Sequence, residues 1–191
     1  MSFRALLAAL LACLFCSQAI GMEPDVVVAV SRVDDAFVVD ATIDIPVTLR
    51  TAWGVLVDFD HMASILTNLT SSKILSRDGA TLLVRQEGIA KYGPFSYPFQ
   101  SEREIRLEPM RRILAKSLSG SVRRMESATE LIQRETGKGV LLRYRAEIVP
   151  DSVLARLFGL SFVRHEVMEQ FQLIVAEMRL REEWMTTDPQ R

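Results

Sequence analysis

Cysteine is almost missing from this chain of 191 residues. Its two copies, Cys13 and Cys16, lie at the far N-terminus, so the rest of the chain has no disulfide, no thiolate nucleophile and no cysteine-ligated metal. Histidine is equally scarce, with only His61 and His165. His165 and Glu169 stand one helical turn apart, but the second histidine of the H-E-x-x-H zinc motif is missing, and no metal site is expected. No G-x-S-x-G elbow, P-loop or G-x-G-x-x-G fingerprint occurs, so no cofactor is expected either. The chain also lacks an excess of one charge. Its formal net charge is −1, which argues against a general nucleic-acid binder. Internal repeats, low-complexity tracts and Pro/Gly-rich linkers are absent, which implies one domain.

One long apolar run is present, Ala5 to Cys16, behind Met1-Ser2-Phe3-Arg4. It is shorter than the roughly 20 residues a membrane span takes, and small residues follow it at Ser17-Gln18-Ala19 and Ala19-Ile20-Gly21. We read residues 1–21 as a signal peptide, with cleavage after Gly21 or Ala19, and expect an exported, periplasmic or secreted protein. An uncleaved anchor is the alternative. Leu10-Leu11-Ala12-Cys13 fits a lipid-attachment box poorly at Leu11. Asn68-Leu69-Thr70 is a formal glycosylation sequon. The remaining residues, 22–185 with a loose tail over 186–191, can bury a substantial core without disulfides.

The pattern then alternates. Val26 to Val33 is β-branched and apolar, and Phe37, Val39, Ala41, Ile43 and Ile45 share one face of a strand whose other face carries Asp40, Thr42 and Asp44. Pro46 ends that strand and suits the first turn of a helix. Trp53, Leu56 and Val57 recur at helical spacing, joined by Val47 and Leu49. Asp58-Phe59-Asp60-His61 interrupts them, and a second short helix covers Met62 to Leu66. Hairpins follow, with turns at Asp78-Gly79, Tyr92-Gly93-Pro94, Glu108-Pro109, Ser119-Gly120-Ser121 and Thr136-Gly137-Lys138-Gly139. Pro150-Asp151-Ser152 caps a short helix over Val153 to Phe158, Gly159 breaks it, and a long helix runs from Ser161 to about Trp184. Its apolar stripe is Val163, Val167, Phe171, Ile174 and Met178, with Met168, Val175 and Trp184 beside it. Arg164, Glu166, Glu169, Gln170, Glu177, Arg181 and Glu182 fill the opposite face.

The stretch Ala52-Trp53-Gly54-Val55-Leu56-Val57-Asp58-Phe59-Asp60-His61-Met62 resembles the first-helix pattern of the START-like, or SRPBCC, superfamily. That group holds polyketide cyclase/dehydrase and lipid-transport proteins and coenzyme Q-binding START-like proteins. The group's usual Pro/Trp near the start of helix two is replaced by Met62-Ala63-Ser64. The resemblance implies an α+β helix-grip fold. In it, a curved antiparallel sheet wraps around a long C-terminal helix, two short helices follow the first long strand, and an apolar tunnel lies between sheet and helix.

Strand parity identifies polar side chains that share the inward face. Arg103 falls in the row Phe95, Tyr97, Phe99, Ser101, Arg103, Ile105 and Leu107. Tyr144 falls in the row Val140, Leu142, Tyr144, Ala146 and Ile148, and Gln86 in Leu82, Val84, Gln86 and Gly88. Arg103 is read as an anchor for a ligand's polar head, as a residue flipped outward by a bulge, or as an internal salt bridge, and Tyr144 as a ligand contact or a core tyrosine reaching the rim. Gln86, Tyr97, Arg103, Tyr144, Met168 and Phe171 are the candidate ligand-binding residues. No catalytic residue is assigned. Asp58, Asp60 and His61 read as capping and turn residues between two lid helices. Arg111, Arg112, Lys116, Arg123 and Arg124 form a basic cluster. It offers a transient membrane-surface contact or, with Glu104, Glu126 and Glu130, a balanced solvated face. The expected function is binding or carrying a hydrophobic small molecule such as a lipid, quinone or isoprenoid. The alternative is a cyclase or dehydratase acting on a polyketide-like substrate in the same cavity. The oligomeric state stays open.

Overall fold

The computed structural model of the chain describes residues 25–135, 139–151 and 159–187. The expected signal peptide, the short helix at Val153 to Phe158 and residues 188–191 of the tail lie outside them. Eight strands form one antiparallel sheet: β1 (Asp25–Val33), β2 (Ala36–Ile45), β3 (Leu69–Asp78), β4 (Thr81–Tyr92), β5 (Phe95–Glu108), β6 (Arg112–Gly120), β7 (Val122–Gln133) and β8 (Val140–Pro150). Their order is β1-β2-β8-β7-β6-β5-β4-β3. The sheet curls around a 28-residue helix, Leu160–Thr187. Between β2 and β3 lie α1 (Leu49–Leu56), a 3-10 turn (Phe59–His61) and α2 (Met62–Ile65), and the long helix is α3. This is the helix-grip fold.

Alternation decides which face of each strand is inside. Val39, Ala41, Ile43 and Ile45 on β2, Leu82 and Val84 on β4, Ile105 on β5, and Val140, Leu142 and Ala146 on β8 are buried. Phe171, Ile174, Val175 and Met178 of α3 close over them. Each such side chain contributes about 1.5–3 kcal/mol when fully buried, and this carries the domain without cross-links.

Several local expectations shift. Thr48, not Pro46, caps α1: its side chain accepts from the Thr51 N–H at 3.3 Å, and Pro46 stands outside the helix. The buried face of α1 is Thr51, Ala52, Val55 and Leu56, while Trp53 and Val57 are only half-buried. The β3–β4 loop is Gly79-Ala80, because Asp78 still pairs with Thr81. Gly79 takes the positive φ of 55° that the tight turn demands. Helix α3 runs to Thr187, beyond the expected end, and Trp184 is 75% exposed instead of packed. The helix outruns the core there.

Polar residues assigned to the free face of α3 lock the short helices in place. Glu182 accepts from Thr51 and, at 3.0 Å, from Thr48. Arg181 bridges Glu177 at 2.7 Å and Asp58 at 2.8 Å, and Asp58 meets His61 Nδ1 at 2.6 Å. Burial alone would raise the Asp58 carboxyl, but the hydrogen bonds and charges of His61 and Arg181 outweigh it and hold Asp58 below its ordinary value. The Asp60 carboxylate accepts from the Ile74 N–H at 2.8 Å, tying the same junction to β3.

Gly88 has a different duty. A Cβ there would collide with the Asn68 carbonyl oxygen and lie 2.6 Å from the Phe99 ring. Only glycine lets the start of β3 approach β4 closely enough for the Ile89 N–H to reach Asn68 at 2.8 Å. Gly88→Ala should therefore destabilise the domain by about 1–3 kcal/mol in denaturant unfolding. An unchanged midpoint would show that the approach is not a constraint.

Candidate functional site

Three inward polar residues converge under the middle of α3. Arg103 Nη2 donates to Gln86 Oε1, and Gln86 Nε2 donates to Ser72 Oγ at 3.0 Å. The pairing explains the meeting: Gln86 is opposite Ser72 across β3–β4 and opposite Ser101 across β4–β5, two residues from Arg103 on the same face. Tyr144 comes from β8, on the far side of the curl. Its hydroxyl bonds Ser127 of β7, and its ring meets Phe171 edge-on at 5.2 Å and 69°.

The electrostatics of this row are unusual. Burial pushes the Arg103 guanidinium below its ordinary value, and no carboxylate offsets the effect. Burial likewise pushes the Tyr144 phenol up, against the opposing pull of Arg103 and Ser127. Arg103 Nε is buried without a hydrogen-bond partner among the described residues. The internal salt bridge allowed from the sequence is thus not formed.

Two adjacent chambers flank the row. The outer one, about 270 Å³, lies beneath the first turns of α3 and includes Phe37, Tyr97, Phe99, Met125, Ile148 and Val163 in its walls. The inner one, about 160 Å³, is walled by core residues such as Ile105, Ile113, Phe171 and Ile174 together with Ser127 and Thr129. Gln86, Arg103 and Tyr144 border both. A larger groove, about 660 Å³, runs between α1 and the C-terminal end of α3 beside Trp184 and Met185, away from the polar row.

Of the six residues expected to bind ligand, Gln86, Arg103 and Tyr144 stand together, Phe171 packs on Tyr144, and Tyr97 lines the outer chamber. Met168 does not line either chamber: it is half-buried against the core on a neighbouring stripe of α3. Asn68, Glu166 and Gln170 line the outer chamber although the sequence put Glu166 and Gln170 on the solvent face. Asn68 Nδ2 donates to Glu166 Oε2 at 3.1 Å, so the sequon's asparagine is half-buried at the chamber wall. Helical periodicity could not find these residues, because a polar face is equally suited to water and to a cavity mouth.

The other charged clusters are surface features. His165 and Glu169 face solvent 3.7 Å apart. The four arginines of the basic cluster are paired, though with partners partly different from those expected: Arg111 with Glu108, Arg112 with Glu130, Arg123 with Asp35 and Arg124 with Glu147.

A family model described as polyketide cyclase / dehydrase and lipid transport matches residues 45–171, from the end of β2 to the middle of α3. The chain belongs to this family. Solved structures agree on the fold. The Zhui aromatase/cyclase from Streptomcyes sp. R1128 superposes with a TM-score of 0.62 at 15% identity, covering 76% of this chain and 95% of its own. A START superfamily protein from Mycobacterium smegmatis gives 0.60 at 12% identity, covering 78% and 98%. A STAR-related lipid transfer protein from Xanthomonas axonopodis gives 0.59 at 10% identity, covering 81% and 98%. A comparison with curated proteins finds no match.

Glu166 generates a pH prediction. Burial pushes its carboxyl above the ordinary value, against the lowering effect of the Asn68 hydrogen bond. A carboxyl with a raised folded pKa binds more protons folded than unfolded. Its contribution is fully present below the unfolded pKa, about 4.3, and is lost as pH rises through the folded one. Glu166→Gln keeps an acceptor for Asn68 and should flatten the decline of thermal stability as pH rises above the unfolded carboxyl value of about 4.3. Identical pH profiles for variant and wild type would refute the burial of this carboxyl.

Proposed function

We propose that this member of the family is an exported module that binds and carries a hydrophobic small molecule, such as a lipid, quinone or isoprenoid, in the space between sheet and α3. The observation that carries the reading is the outer chamber, about 270 Å³, whose surface is mostly apolar, with Gln86, Arg103 and Tyr144 at the border with the inner chamber and Asn68 and Glu166 elsewhere in its wall. Cavities of that composition hold apolar ligands by area and orient them by sparse hydrogen bonds. The family description, which includes lipid transport, and the STAR-related relative's name point the same way. Export rests on the apolar run Ala5 to Cys16 and the small residues that follow it. Among the described residues no helix is long and apolar enough to cross a membrane.

The second reading, a cyclase or dehydratase, is favoured by the aromatase/cyclase name of one structural relative and by Tyr144 beside Arg103. General acid–base work needs a group that exchanges protons near the working pH. A tyrosine with a raised pKa and a guanidinium do not meet that need, so an acid–base role in the chamber would fall to the raised Glu166 carboxyl on its outer wall, which is hydrogen-bonded to Asn68.

Native mass spectrometry of the purified protein, followed by lipid extraction, should reveal a co-purifying apolar molecule. Val167 borders both chambers, and Val167→Trp should plug them. The variant should bind a fluorescent fatty-acyl or polyene probe at least about tenfold more weakly than wild type, with circular dichroism unchanged. Equal probe affinity in a folded variant would place binding elsewhere.

A further inference from the structure

The residues between the two chambers specify the head of the ligand. Arg103 places one positive charge at the border of the two chambers, half-buried overall but with its Nε fully covered. Its only side-chain partner among the described residues is the neutral Gln86, and its Nε has none. The ion pairs of the other arginines lie at or near the surface, each with an Asp or Glu. A partly desolvated cation left with neutral neighbours is stabilised by an occupant that supplies the opposite charge. The neighbours are arranged as donors toward that occupant. Gln86 turns its oxygen to Arg103 and one N–H to Ser72, and the guanidinium is left with unused N–H groups. Tyr144 adds a hydroxyl beside them.

Charge balance narrows the head further. One guanidinium without a second cation balances a monoanion, not a phosphate dianion. Glu166 on the outer wall disfavours a second negative charge farther out. A guanidinium fork suits a carboxylate, which accepts two parallel hydrogen bonds. The chambers set the direction. The inner one is small and bordered by Ser127, Thr129 and Tyr144, whereas the outer one offers Phe37, Phe99, Met125, Ile148, Phe162 and Val163. We infer that the cavity takes a single-chain carboxylic acid, carboxylate inward at Arg103 and hydrocarbon tail along the outer chamber beneath the first turns of α3. This rests on the binding function proposed above and adds the class and orientation of the ligand.

Calorimetric titration of the delipidated protein at pH 8 with dodecanoate, dodecanol, dodecyl phosphate and dodecyltrimethylammonium tests it. Dodecanoate should bind about tenfold or more tighter than dodecanol, since hydrogen bonds to a charged partner are roughly twice as strong as neutral ones. Dodecyl phosphate and the cationic amphiphile should bind more weakly than dodecanoate. Arg103→Gln should remove the preference for the acid, bringing the dodecanoate and dodecanol affinities within about threefold of each other. Equal wild-type affinity for acid and alcohol would overturn the acid-head inference and leave the binding function standing. Tighter binding of the phosphate, or a preference kept in Arg103→Gln, would overturn it likewise. Failure of every amphiphile to bind would overturn both. A carbon-13 carboxyl titration of bound dodecanoate needs no variant: its pKa should fall below that of the free acid, and a value at or above it would also overturn the inference.

Discussion

One helix has to cover the inner face of eight strands. Strands spaced about 4.8 Å apart would make a flat sheet roughly 35 Å wide, while a helix with its side chains is about 10–12 Å across. The sheet answers by curling, and the short elements α1, the 3-10 turn and α2 fill part of the remaining gap. Beneath Val175 and Met178, both almost wholly buried, α3 packs closely on the sheet. Under its N-terminal half it does not, and the two chambers lie there. The cavity is a consequence of covering a wide sheet with a single helix. The lock between Asp58, Thr48 and Thr51 and the end of α3 keeps the short helices from drifting into the space.

Placing Arg103, Gln86 and Tyr144 at that space carries an energetic penalty, because each takes polar atoms away from bulk water. Hydrogen bonds to Ser72 and Ser127 offset part of it for Gln86 and Tyr144. Arg103 is left under-compensated. A protein selected only for stability would do better with an apolar residue of similar volume, as buried ion clusters elsewhere show. Groups that reduce stability inside an otherwise apolar cavity belong to its use, and here they mark the end of the cavity at which an occupant is oriented.

Much of this was legible from period-two alternation. The inward rows of β2, β4, β5 and β8 could be read directly, and with them Gln86, Arg103 and Tyr144 as polar members of apolar rows. Their convergence could not be read. Arg103 and Tyr144 stand on strands three positions apart in the sheet, and only the curl brings them to one cavity. The family resemblance, carried by Trp53 to Met62, supplied the grip architecture that periodicity left open. The helical stripe of α3 misled in both directions. Trp184 lies on the stripe but beyond the core, and Met168 lies beside the chambers' lining residues without joining them. Glu166 and Gln170 were placed in solvent and instead border the outer chamber. Amphipathicity separates polar from apolar faces. It does not distinguish water outside a protein from a cavity within it.

The central claim is that the space under the N-terminal half of α3 receives an apolar molecule. Methyl NMR of the protein, labelled at Ile, Leu, Val and Met and titrated with a saturated fatty acid, addresses it residue by residue. The account predicts that Val163, Val167, Ile148, Met125 and Ile105, which line the chambers, shift, while the exposed Leu118, Ile132 and Leu180 stay fixed. Shifts confined to the exposed methyls, with the chamber methyls unmoved, would contradict it.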